Sequence, residues 1–218
     1  SFAVMALSTL IALPIAIGSA IFAVEIQPKF GSKIFQPLIE LLTGIPSVVF
    51  GLIGFHVVVG LMKSVFHVST GLGILPGAIV LAVMILPIIP SMSRDIFLQT
   101  PRLQEEAALA LGATKWEMVK LAVLPFGKSG VVSASMLGLG RALGETMAVL
   151  MILSPGLNYS VKLLQASQNQ TIAANIAAQY PEANDLGVSV LIGTGLVLFL
   201  ITFVVNFIAR KLTEKASV

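Results

Sequence analysis

The sequence predicts an all-α protein, a polytopic bundle of membrane-spanning helices, and three observations carry that prediction. Of 218 residues, 56% are hydrophobic and only 11% are charged, against roughly 25% charged in ordinary soluble domains. The apolar residues sit in long, nearly uncharged blocks, not at the spacing by which a soluble core absorbs such a composition. Five of these blocks reach the length of about 20 residues that a helix needs to cross a hydrocarbon core.

Taken in order, the predicted spans cover 1–24, 41–62, 71–93, 129–153 and 187–208. The first begins at Ser1, in apolar sequence that lacks the basic flank and cleavage site of a signal peptide. The chain therefore reads as a fragment, with at least one helix expected upstream. The second span is interrupted by Gly44-Ile45-Pro46, which predicts either a plain packing kink or a broken helix of the kind transporters use where backbone lines a cavity. The fourth carries Arg141 and Glu145 in its middle. Polar stretches, 94–128 and an outer loop at 155–186, separate the third, fourth and fifth spans. Within the latter, 171–180 reads as a short outer helix, and the whole chain as one transmembrane domain without repeats.

Charge sets the topology. Lys29, Lys33, Arg94, Arg102, Lys115, Lys120, Lys128, Arg210, Lys211 and Lys215 make ten basic residues on one side, against Lys63 and Lys162 on the other. The positive-inside rule then places the C-terminus in the cytoplasm and 155–186 outside. A net charge of +3 is too small and dispersed to attract nucleic acid. With no cysteine there is no disulfide framework or thiolate site. His56 and His67 lack spaced partner ligands, so no metal site is expected. Trp116 and Tyr180 suit interfacial anchoring, and Asn158-Tyr159-Ser160 and Asn169-Gln170-Thr171 match the glycosylation pattern by chance.

The segment 101–119 reads as one or two short helices, begun after Pro101 and broken by Gly112 and later by Pro125. Glu105-Glu106-Ala107-Ala108-Leu109-Ala110-Leu111-Gly112 is followed, nine residues on, by Ala122-Val123-Leu124-Pro125. Small alanines let a partner surface approach closely, acidic residues suit the first turns of a helix, and Gly112 permits a sharp change of direction. An ordinary amphipathic connector is the alternative. The run resembles the EAA loop of ABC importer permeases, with Ala122 where that pattern prefers Ile. The resemblance implies the type I ABC importer permease fold and a coupling loop at 101–125. It also implies that Glu105, Glu106, Ala107, Ala108 and Gly112 dock on a cytoplasmic ATP-binding subunit. Gly127-Lys128-Ser129 copies the tail of a phosphate-binding P-loop, but Ala122 stands where that motif needs its first glycine. The chain is thus expected to bind no cofactor and not to be an enzyme, ATP being used by a partner ATPase.

Arg141 and Glu145 are four residues apart, on one face of a continuous helix, and so able to pair. Charges at bilayer depth face a bundle interior or a wet cavity, and Gly140 and Gly144 form a step that allows close helix approach. An arginine fork suits a tetrahedral oxyanion, and a neighbouring carboxylate keeps the site from binding anions too tightly. A structural ion pair that never touches cargo is the alternative. The run from Gly140 to Val149, with Leu42-Thr43-Gly44-Ile45-Pro46-Ser47-Val48-Val49, is similar to phosphate ABC permeases of the PstC type, over essentially the whole chain. That similarity implies a six-helix subunit of the bacterial cytoplasmic membrane and phosphate as cargo. It also implies roles in translocation for Arg141 and Glu145, with Thr146 beside them in the pathway. Implied partners are a sister transmembrane permease, two cytoplasmic ATP-binding subunits, an extracytoplasmic phosphate-binding protein and membrane lipid. A sulfate or molybdate permease, an ATP-independent anion channel or carrier, and a non-transporting scaffold that reports nutrient state remain as alternatives.

Overall fold

A computed structural model describes residues 2–27, 31–153 and 170–216. Ser1, Lys29, Lys162, Asn158-Tyr159-Ser160, Asn169 and residues 155–169 of the expected outer loop lie outside the described residues. Among the described residues all regular structure is helical. Five helical runs are long and apolar enough to cross a membrane: Phe2–Ile26, Ser47–Phe66, Ile74–Phe97, Lys115–Gly144 and Asp185–Ile208. The chain divides into two compact units.

The first unit comprises 1–11, 45–85 and 139–206. It takes the start of α1 (Phe2–Ile21), then α3 (Ser47–Ile53), α4 (Val59–Phe66), α5 (Ile74–Ile85), α10 (Met147–Ile152), α11 (Ile172–Gln179) and most of α12 (Asp185–Ala216). Its core gathers Val4, Val59, Ala78, Leu81, Val149, Ile152 and Ala174. Glycines set the closest approaches. A Cβ on Gly51 of α3 would lie 2.8 Å from the Ala148 Cα of α10, so these two short helices meet almost backbone to backbone. Between α4 and α5 the chain reverses through His67, at φ 51°, and Gly71, at φ 67°. A side chain at Gly71 would strike the Val59 carbonyl oxygen at 2.5 Å. The expected short outer helix is present as α11, and the Thr171 hydroxyl caps it by accepting from the Ala174 N–H at 3.2 Å.

The second unit comprises 12–44, 86–138 and 207–218. It holds the rest of α1, α2 (Gln36–Gly44), α6 (Ile88–Phe97), α7 (Arg102–Ala110), α8 (Lys115–Met118) and most of α9 (Leu124–Gly144). Phe97, Met118, Val119, Val123, Ala20 and Ile21 form its core. Gly127 and Gly130 of α9 make a notch for the end of α6: a Cβ at Gly127 would lie 2.5 Å from the Phe97 ring, and one at Gly130 would strike Ile96.

Two span boundaries differ from expectation. Gly44-Ile45-Pro46 does break the helix: α2 ends at Gly44 and Pro46 is the N-cap of α3, so the helical run of membrane-crossing length is Ser47–Phe66, where 41–62 was expected. Proline fixes its own φ and lacks an N–H, which suits a helix start and not an interior. The fourth helical run begins at Lys115 instead of residue 129 and stops at Gly144. Pro125 does not end it, because a π-helical turn at Val119–Val123 directly precedes α9 and absorbs the missing donor.

Candidate functional site

The expected translocation residues sit at a helix break in the first unit. α9 closes at Gly144, a poor helix former, and α10 opens at Met147, leaving Glu145 and Thr146 between them. Glu145 is 8% exposed and turned inward. Its Oε1 accepts from the Ala148 N–H at 3.3 Å, so the carboxylate caps the first turn of α10. The Thr146 hydroxyl donates to the Gly144 carbonyl at 3.1 Å.

Arg141 lies in the last turn of α9 and is exposed. Its expected pairing with Glu145 is not present: the one ion pair among the described residues joins Arg94 to Asp95. The four-residue spacing puts two side chains on one face only while the helix is unbroken, and the break after Gly144 sends Glu145 inward. The expected close approach at Gly140 and Gly144 is also absent within this chain, since a Cβ at either would meet nothing within 4 Å. What results is an exposed guanidinium beside a helix break, with the neighbouring carboxylate committed to backbone.

Thr146 also borders a cavity of about 400 Å³, lined by Ala173, Ile176, Ala177, Tyr180 and Leu198 from α11, the turn after it and α12. Its wall is apolar apart from the Thr146 and Tyr180 hydroxyls, so it offers no anion site of its own.

The expected docking residues share one element in the second unit. Glu105, Glu106, Ala107 and Ala108 lie on α7, no residue of which is buried. Leu103 is 78% exposed, and Leu111, just beyond the helix, 91%. α7 is nevertheless tied down at one point, where Ala108 packs against the core of Phe97, Met118 and Val119. Gly112 ends the segment at φ 88° with open space around it, so the left-handed backbone, not crowding, demands glycine.

Two contributors escaped the sequence reading. Thr114 and Glu117 form a capping box that starts α8: the Thr114 N–H donates to Glu117 Oε2 at 2.7 Å, and the Glu117 N–H donates to Thr114 Oγ1 at 3.3 Å. The Thr-x-x-Glu pattern was its available signal. Gly51 had none, because a glycine in an apolar run does not name the backbone it will meet.

This arrangement, broken apolar helices of membrane-crossing length with a short exposed helix between two of them, fits the membrane subunit of a transporter. The family model described as binding-protein-dependent transport system inner membrane component matches residues 7–218, and the chain belongs to that family. Among its relatives is phosphate transport system permease protein PstC 2 of Mycobacterium tuberculosis, 43% identical over 234 residues, covering 97% of this chain and 72% of that one. Phosphate transport system permease protein PstC of Xylella fastidiosa is 39% identical over 230 residues, 97% of this chain and 70% of its own. The probable ABC transporter permease protein YqgH of Bacillus subtilis is 37% identical over 100% of this chain and 71% of its own. A solved structure of the MetNI methionine ABC transporter superposes with a TM-score of 0.71 at 16% identity, covering 99% of this chain and 93% of the other. That likeness establishes the type I ABC importer permease fold.

Proposed function

We propose that this permease subunit passes inorganic phosphate across the bacterial cytoplasmic membrane, with Arg141 as the cation that meets the anion on its path. The observation that carries the proposal is an exposed Arg141 with no ion-pair partner among the described residues, one turn before a break in a membrane helix. A charge at bilayer depth costs roughly 2.5 to 3.5 kcal/mol on insertion scales, so an arginine there needs a compensating ligand or a wet path. Its planar fork donates two hydrogen bonds at once to a tetrahedral oxyanion. Glu145, capping α10 a turn away, fixes the break and adds a nearby negative charge that keeps anion binding weak enough for release. The names of the relatives, phosphate permeases at 39 to 43% identity, support the choice of cargo.

ATP is bound and hydrolysed by two partner subunits in this reading, which receive α7 through Glu105, Glu106, Ala107, Ala108 and Gly112. A sister permease completes the pathway, and an extracytoplasmic phosphate-binding protein delivers the anion. The excess of basic residues on one side supports a cytoplasmic α7 and C-terminus. Closure of the ATPases moves α7, and α9, which continues from α8 through the π-helical turn at Val119–Val123 and carries Arg141 in its last turn, passes that movement to the break.

The test is radiolabelled phosphate uptake by the assembled complex in liposomes. ATP-dependent uptake that resists excess sulfate and molybdate is expected. Arg141→Ala is expected to assemble normally and lose uptake, while Arg141→Lys, which keeps the charge but not the fork, retains a fraction. Full uptake by Arg141→Ala sinks the assignment, and competition by sulfate or molybdate reassigns the cargo.

A further inference from the structure

A histidine stands halfway along a membrane-length helix, outside the path described above. His56 belongs to the 20-residue run Ser47–Phe66 and is exposed in this chain. At 1.5 Å per residue it lies about 15 Å from either end of that run, too far for an imidazole to reach the interface. Lipid tails offer no hydrogen bond, so a polar side chain at such depth is turned toward a partner or a wet path.

The ring is held in a defined way. It sits on the π-helical turn Gly54–Val58 between α3 and α4, and turns of that kind are frequent at functional positions. Its Nδ1 lies 3.2 Å from the Leu52 carbonyl oxygen. A carbonyl only accepts, so Nδ1 donates, and in the neutral ring Nε2 is left as an acceptor. Among the described residues Nε2 makes no hydrogen bond.

The other face of the run is already occupied. A Cβ at Gly51 would meet the Ala148 Cα, and one at Gly54 would lie 2.5 Å from Val80 and 2.9 Å from Ile152. At 3.6 residues per turn His56 points roughly 140° away from Gly51 and roughly 160° away from Gly54, and so away from this unit's core. Gly60, four residues on, has open space where a Cβ would stand, which lets a second backbone come close. The contact of Gly51 with Ala148 also sets α3 beside α10, the helix that begins at the break. A subunit that completes the pathway meets this edge.

We infer that His56 is an intramembrane contact to the sister permease, its Nε2 accepting a hydrogen bond from a hydroxyl or carboxamide on a helix of that subunit. This inference rests on the reading of the chain as one of two permeases lining a common path.

The test uses the assembled complex. Glutamine keeps a polar group where Nε2 stands, whereas asparagine keeps one only where Nδ1 stands. His56→Gln is expected to co-purify the sister permease in detergent as the wild type does, and His56→Asn to retain it about threefold less well, the scale of one interhelical hydrogen bond in a membrane. In parallel, p-benzoylphenylalanine is placed at Leu52, half-exposed one turn before His56, with the histidine left in place. Illumination in membranes is expected to join it to the sister permease. An adduct with phospholipid alone or with another segment of this chain overturns the contact, as does equal retention of the sister permease by His56→Gln and His56→Asn. A wild-type complex that co-purifies and cross-links as expected, yet takes up no phosphate with ATP, overturns the functional reading instead and leaves the contact standing.

Discussion

Glu145 shows how one side chain can be placed by a role different from the one its spacing suggests. On a continuous helix it would face Arg141, but its carboxylate instead accepts from the Ala148 N–H and starts α10. An uncapped helix start costs about 1 kcal/mol, so Glu145→Ala should destabilise the subunit by about that amount. Glu145→Gln keeps an acceptor oxygen and should leave stability near wild type while changing the charge beside Arg141. Thermal unfolding in detergent separates the two variants, and equal losses would contradict the capping role. That Glu145 and Arg141 are two charges inside one apolar block is legible in the sequence. That they do not pair is not, because spacing assigns faces only while a helix remains unbroken.

Elements in this protein are positioned by glycine contacts and by proline breaks. The approach of α3 to α10 leaves no room for a Cβ at Gly51, whose nearest neighbour is the Ala148 Cα at 2.8 Å. Backbone cannot rotate away as a side-chain tip can, so Gly51→Ala should cost about 1 to 3 kcal/mol. Reduced melting temperature or yield would be the readout, and an unaffected variant would mean that the two helices can separate without loss. At Gly112 the cause differs, since space is open and the φ of 88° alone excludes other residues. Gly112→Ala should therefore cost roughly 1 to 2 kcal/mol locally at the end of α7. Its effect should appear as weaker co-purification of the ATPase while the spans remain intact. Both breaks, at Pro46 and at Glu145, lie where the sequence carried a signal, but only the first was readable as a break.

For the whole molecule, the charge distribution predicts which end of each span faces which compartment. The basic residues favour α7 inside and α11 outside. Exposed Leu111 and Tyr180 allow a direct check in a chain free of cysteine. An impermeant maleimide applied to intact cells should modify Tyr180→Cys and spare Leu111→Cys until the membrane is opened. The reverse pattern would invert the topology and remove α7 from the reach of cytoplasmic ATPases. Burial also differs among the spans: the most apolar window of Ile74–Phe97 is 67% buried, against 6% for Asp185–Ile208. The first is largely buried within this chain, and the second is almost wholly exposed.

By itself the sequence determined the solvent, the number of long apolar helices among the described residues, the charge asymmetry and the short polar helix that carries the Glu105 to Ala110 run. Each of these follows from composition, run length or local spacing, which need no knowledge of distant residues. Only the tertiary structure decided that Arg141 stands exposed and Glu145 inward, and that the fourth helix continues through Pro125. These depend on which backbone hydrogen bonds are satisfied and which neighbours approach. Burial and exposure of this kind are settled in part between residues far apart in the chain, as where Gly51 meets Ala148.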